Sequence, residues 1–254
     1  MTIAVAGKGG TGKTTVSALI IRYLIESGKK PILAVDADPN SNLNLSLGLK
    51  LDKTIGDILE EMKEKIEKFE ELPAGMSKIE YITYELENII LESKGFDLLS
   101  MGRPEGPGCY CFANSILRTS LDILAKRYEY IVIDNEAGLE HLNRKTTRNV
   151  DILLIISDPT LKGIRTAKDI YKLTKDLKLK VKNEYLCVNR VIDEKLKGMI
   201  EKTIENTSLK FSGFLPEDSS IEEYDSKGKS LMELPGNCGL WVKIREIAEK
   251  TLKL

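Results

Sequence analysis

At 254 residues, with 42% apolar and 30% charged side chains, the chain is long enough for one large α/β domain and has the composition of a soluble globular protein. Its 38 basic against 39 acidic residues give a net charge of −1, which argues against a protein whose main task is coating nucleic acid, so no nucleic-acid partner is expected. No apolar run approaches the ~20 residues that span a bilayer, and no leader precedes the first strand-like run, so a cytoplasmic location is expected.

Short apolar runs alternate with longer stretches of helical period, the pattern of βαβ units on a parallel sheet. The first strand is predicted over 2–6 (TIAVA) and leads into Gly7-Lys8-Gly9-Gly10-Thr11-Gly12-Lys13-Thr14-Thr15, with a helix predicted over 13–27. A glycine-rich loop between strand and helix is a phosphate cradle. Its backbone N–H groups turn inward, and the helix presents its positive N-terminal end to the same anion. Lys13 is placed to bridge the β- and γ-phosphates, and Thr14 to hold Mg²⁺ through its hydroxyl.

The second strand, 31–36 (PILAVD), ends in Asp36-Ala37-Asp38-Pro39-Asn40-Ser41-Asn42. Two carboxylates at a strand's C-terminal edge sit where open α/β sheets bind ligands. A helix is predicted over 54–70, where the interleaved charges of 60–71 read as a solvated face. A strand over 96–101 follows.

Next comes Gly106-Pro107-Gly108-Cys109-Tyr110-Cys111, and a helix over 114–127. Four cysteines make no disulfide framework in a chain this size, whereas a close pair points to metal or redox chemistry. Two thiols are too few for a closed thiolate site, but a twofold dimer axis doubles them to the four that such a site requires. Soft thiolates suit Zn, Ni, Cu(I) or an iron–sulfur cluster.

The strand over 129–134 ends in Ile131-Val132-Ile133-Asp134, a buried apolar run closing on an acid that orders Mg²⁺-bound water. Gly138 then supplies bending freedom, and His141, the one histidine, reads as a structural hydrogen-bonder. Strands over 152–157, 185–189 and 211–215 and helices over 162–178, 195–206 and 239–252 complete the series. Cys187, inside an apolar strand, reads as core, and Cys238 as unrelated to the pair. The apolar residues Trp241, Ile244, Ala248 and Leu252 at helical spacing read as a final helix docked on the sheet rather than a membrane anchor. The expected fold class is α/β: a three-layer P-loop NTPase fold with a mostly parallel central sheet of about seven or eight strands, residues 1–254 forming a single domain.

The second loop lysine, Lys8, resembles the deviant Walker A motif of the MinD/ParA/nitrogenase-iron-protein class of P-loop ATPases. Together, GKGGTGKTT, DADP, GCYCFANSILR, DNEAGLEHLNR and the GKSL of 228–231 resemble, in order, the CooC-type carbon monoxide dehydrogenase maturation ATPases. The resemblance implies an ATPase that binds ATP/ADP and Mg²⁺ as a homodimer, with Lys8 reaching across to the partner's nucleotide. It makes Gly9, Gly10, Thr11, Gly12, Lys13, Thr14 and Thr15 the phosphate-binding residues. It makes Asp38 the acid that orients the attacking water, and places Asp36 nearer the metal's outer shell. Lys8, Lys13, Asp38 and Asp134 form the catalytic set. Asn189 would read adenine, with Pro216 and Glu217 in the loop covering the base. Cys109 and Cys111 would hold Ni²⁺ or Zn²⁺ across the dimer, for delivery to a client nickel enzyme, carbon monoxide dehydrogenase or a relative such as acetyl-CoA synthase. Two alternatives are a nucleotide-gated iron–sulfur electron donor or carrier and a MinD-like positioning ATPase. Against the first, residues 135–150 contain no cysteine after the Walker B strand.

Overall fold

The computed structural model describes residues 1–68, 73–76, 78–103, 116, 119, 121–124, 126–137, 149–192, 194–205 and 209–253. Its strands are β1 (Thr2–Gly7), β2 (Ile32–Ala37), β3 (Leu91–Glu92), β4 (Asp97–Ser100), β5 (Tyr130–Asn135), β6 (Asn149–Ser157), β7 (Lys180–Val191) and β8 (Lys210–Pro216). Its helices are α1 (Lys13–Glu26), α2 (Leu43–Ser46), α3 (Ile55–Glu67), α4 (Lys78–Asn88), α5 (Leu161–Asp176), α6 (Glu194–Glu205), α7 (Ser219–Ser226) and α8 (Gly239–Leu252).

One eight-stranded sheet runs β3-β4-β2-β5-β1-β6-β7-β8. Every pairing is parallel except the antiparallel β3–β4 edge. The alternation of side chains along each strand sorts the core into layers. Ile3, Val5, Ile32, Ala34, Val132, Ile152 and Leu154 face the side covered by α1 and α8. Their neighbours Leu33, Val35, Ile131 and Ile133 join α3 and α4 on the other side, where Ala4, Leu153 and Ile155 meet α5 and α6. Strands covered on both faces have no polar face to show, which is why their sequences read as unbroken apolar runs.

The seven predicted strands and five of the six predicted helices are present with small shifts at their ends. Of the predicted helix 114–127, residues 116, 119 and 121–124 are helical among those described. Cys109, Cys111, Gly138 and His141 lie outside the described residues.

The sequence reading missed β3, α2, α4 and α7. The first two have two and four residues, too short to show a period, and α7 has no buried side chain to mark one. The observed β7 begins five residues before its predicted start. Lys180, Lys182 and their neighbours alternate exposed and half-buried there, beyond the apolar run.

Helix α8 docks as expected. It buries Leu240, Trp241, Ile244, Ile247, Ala248 and Leu252 in the layer shared with α1. The Arg22 guanidinium lies 4.3 Å over the Trp241 ring and donates through Nη1 to Leu234 O at 2.8 Å. No helix among the described residues is long and apolar enough to cross a membrane.

Candidate nucleotide site

The C-terminal ends of β1, β2 and β5 bring three predicted segments to one place, beside the switch in strand order that opens a crevice in such sheets. Between β1 and α1 the chain turns through Gly10 (φ 77) and Gly12 (φ 91), conformations open to glycine. Gly12 is further constrained, because a Cβ there would meet Asn189 Nδ2 at 2.4 Å. The turn is closed by Thr11 Oγ1 donating to Lys8 O at 2.9 Å.

Lys13, the first residue of α1, is 7% exposed and donates to Lys8 O at 3.3 Å. Burial pulls its ammonium below the ordinary lysine value, opposed by the charges of Asp134, Asp38 and Glu136. A buried cation at the end of a glycine loop and a helix N-terminus is a prepared seat for phosphate.

Lys8 is half exposed, with Nζ 3.7 Å from Asp158 Oδ2 at the end of β6. Asp158 Oδ1 in turn accepts from Thr160 N at 3.0 Å, just ahead of α5. Sequence reading missed Asp158, though its position after an apolar strand was the signal available.

Asp36 and Asp134 are partners in the β2–β5 register, 0% and 1% exposed. Burial pushes Asp36 up to about 7, against hydrogen bonds from Leu43 N and Asp38 N, with the charge of Asp134 adding to the rise. Burial likewise pushes Asp134 up to about 6, opposed by hydrogen bonds from Thr14 and Ser17 and by the Lys13 charge. Ser17 Oγ donates to Asp134 Oδ1 at 3.1 Å. Two buried carboxylates with a hydroxyl on one of them form the oxygen donor set that a hard divalent cation takes. Thr14 and Asp134 would hold Mg²⁺ there, supplying charge neutralisation at the phosphates when bound.

Both shifts favour the protonated form of the folded protein. The nucleotide- and metal-free protein is therefore expected to lose stability as pH rises from about 4 through about 7, the interval in which the unfolded carboxyls are already ionised. Thermal unfolding across pH 4.5–8 (roughly that interval) checks this, and Asp36→Asn should flatten the profile. An equally steep profile in the variant would assign the dependence elsewhere.

Asp38 is half-buried beyond β2. Its Oδ1 accepts from Asn40 N at 2.9 Å and Asn40 Nδ2 at 3.0 Å, which fixes the carboxylate in the loop mouth. The end of β4 is tied to the same loop. Ser41 and Ser100 share a hydroxyl hydrogen bond at 2.8 Å, and Met101 N donates to Asp36 O at 2.8 Å.

A second cleft opens beside the phosphate loop, lined by Gly12, Thr15, Asn189, Arg190, Pro216, Glu217, Asp218, Ile221, Glu222 and Leu240. Its mixture of apolar walls and a few polar groups suits a nucleobase. Asn189 donates through Nδ2 to Thr11 O at 2.8 Å and accepts at Oδ1 from Arg190 N at 2.9 Å. The amide therefore joins β7 to the phosphate loop and keeps one N–H and one lone pair for a base. Asp218 caps α7 and also accepts from Leu240 N at 3.1 Å and Cys238 Sγ at 3.3 Å. Burial raises its pKa, but these bonds and those from Ser220 outweigh it and hold the carboxyl at about 2. Cys238 thus belongs to the mounting of this cleft. Cys187 is core as expected, its thiol pushed up to about 12 by burial.

The described sequence-predicted nucleotide residues thus fall into two adjoining places. Lys8, Lys13, Thr14, Asp36, Asp38 and Asp134 surround the phosphate loop, and Asn189, Pro216 and Glu217 line the second cleft with Gly12 and Thr15 between. A family model described as the CobQ/CobB/MinD/ParA nucleotide binding domain matches residues 2–231. An ATP-binding protein of Methanocaldococcus jannaschii is 48% identical over 99% of this chain and 98% of its own. The carbon monoxide dehydrogenase accessory protein CooC of Rhodospirillum rubrum is 32% identical over 94% of this chain and 92% of its own. Among solved structures, the MinD cell division protein of Aquifex aeolicus aligns with a TM-score of 0.71 at 23% identity, covering 100% of this chain and 97% of that one. On this fold, this site and these matches, the chain belongs to the CobQ/CobB/MinD/ParA family of P-loop ATPases.

Proposed function

We propose that the chain, acting as a single domain, is a Mg-ATP-hydrolysing maturation factor. It works as a homodimer that carries Ni²⁺ or Zn²⁺ between Cys109 and Cys111 of its two copies and assists nickel insertion into carbon monoxide dehydrogenase or a related enzyme. The observation that carries the reading is the tie between β4 and the nucleotide loop. The two cysteines follow β4 in the sequence, and at the end of β4 Ser100 and Met101 bond Ser41 and Asp36. A change in the loop at the γ-phosphate would thereby reach Ser100 and Met101, the latter eight residues ahead of Cys109 in the sequence. The 32% identity with the Rhodospirillum rubrum CooC protein across most of both chains supports the same reading.

In this mechanism Lys13 neutralises the β- and γ-phosphates, and Asp38 orients the attacking water. Lys8 exchanges Asp158 for the nucleotide of a second copy. Support for a second copy at this edge comes from Leu45, Leu161 and Ile192, which are 64%, 70% and 81% exposed. Each follows the C-terminal end of a parallel strand, β2, β6 or β7, on the side of the sheet that carries Lys8. A MinD-like positioning role is the competing reading. The packing of the α8 apolar face into the core weighs against that face serving as a membrane anchor.

Metal analysis of anaerobically purified protein tests the proposal. Wild type should carry about one ion per two chains, and Cys109→Ser/Cys111→Ser should carry none while still binding ATP. Iron with sulfide in the wild type would favour the electron-donor reading instead. Equal nickel and zinc in wild type and variant would sink the cysteine site.

A further inference from the structure

Strand β7 does not run evenly along β8. Val188 pairs with Phe214 and Val191 with Pro216, so β7 spends one residue more than β8 over this interval. Such a bulge re-aims side chains, and here the two residues inside it take opposite tasks. Asn189 turns to the phosphate loop, while Arg190 adopts φ 61, a left-handed conformation that costs free energy for any residue with a Cβ.

The Arg190 side chain is exposed in the second cleft and is the only cation among the residues that line it. It makes no ion pair or side-chain hydrogen bond among the described residues, although Glu217 and Glu222 line the same cleft. The Asp218 carboxylate there is already engaged by Ser220, Cys238 and Leu240. A strained residue holding an unpaired guanidinium in a cleft with apolar walls of Pro216, Ile221 and Leu240 is arranged for a ligand with a flat π-face.

We propose that Arg190 contacts the bound nucleotide, its guanidinium lying on the face of the purine. This rests on the reading of the second cleft as the base pocket. A planar cation on a purine adds affinity through stacking and charge, and it is sequence-local to Asn189, so the same bulge serves base and phosphate loop together. The left-handed backbone is retained because glycine, which would relieve it, has no side chain to offer.

The test is an equilibrium titration, with Mg²⁺, of wild type, Arg190→Gly and Arg190→Lys against a non-hydrolysable ATP analogue and against inorganic tripolyphosphate. Arg190→Gly should weaken the analogue by about three- to thirtyfold and leave tripolyphosphate unchanged. Its ligand-free thermal midpoint should equal or exceed that of wild type, because glycine accepts φ 61 without strain. Arg190→Lys should recover only part of the analogue's affinity, since it keeps the charge and loses the plane. An unchanged analogue affinity in Arg190→Gly overturns the proposal. So does an equal loss toward both ligands, which would mean a phosphate contact, and so does full recovery in Arg190→Lys. Wild type binding tripolyphosphate as tightly as the analogue would overturn the base-pocket reading itself, and with it this role for Arg190.

Discussion

Lys13→Ala is expected to weaken ATP and ADP binding by at least about a hundredfold, a loss on the scale of removing a buried, charge-assisted contact. The ammonium is nearly enclosed, and burial already pulls its pKa down, so the folded protein bears the cost of holding a charge that Asp134, Asp38 and Glu136 only partly offset. A triphosphate arriving in the loop supplies the missing counter-charge. Without Lys13 the phosphates would face Asp38 and Asp134 with no buried cation between them. Calorimetric titration with ADP and with an ATP analogue measures this. Affinity within about threefold of wild type would remove Lys13 from the phosphate site. The ligand-free variant should still fold, because the neutral side chain no longer needs a charged environment.

Asp38→Ala is expected to act on turnover instead. Asn40 holds one carboxylate oxygen of Asp38 from two donors, leaving the other free of hydrogen bonds among the described residues. A fixed carboxylate with one free oxygen orients a water molecule, and removing it should lower kcat by roughly 10²–10³. Nucleotide affinity should change little, because Asp38 repels rather than attracts phosphate. The ATP-bound dimer should therefore accumulate. Single-turnover hydrolysis and sedimentation with ATP would show both effects together. Turnover close to wild type would take Asp38 out of the reaction.

The phosphate loop was readable because its constraints are local. Strand, glycines, lysine and helix follow one another within the stretch Thr2–Glu26, and each conformation is set by its own residues. The apolar strands were readable because both their faces are buried. The pairing of Asp36 with Asp134 was not, since it depends on β2 and β5 lying side by side, ~100 residues apart in the chain. Nor was the contact between Lys8 and Asp158, which needs β6 next to β1. Arg190 escaped for another reason. In sequence it follows an apolar run like any solvated arginine, and only the unequal pairing of β7 with β8 reveals its backbone as strained. Asp218 was legible only as the neighbour of Pro216 and Glu217, in the loop that the resemblance places over the base. Its bonds to Leu240 and Cys238, which fasten the cleft to α8, come from a segment about 20 residues further on.

That fastening gives the molecule an optical property. Trp241 is its one tryptophan, 2% exposed, with the Arg22 guanidinium over its ring. It stands one residue after Leu240, which both lines the second cleft and donates to Asp218. An indole shielded from water and placed under a cation emits according to that cation's distance and orientation. An adjustment of α8 to an occupant of the cleft would be expected to shift the ring against Arg22, which is itself anchored on α1, the helix that begins at Lys13. With no second indole in the chain, intrinsic fluorescence isolates this single junction, and a change in emission on adding nucleotide is the expected signal of its arrival in the cleft.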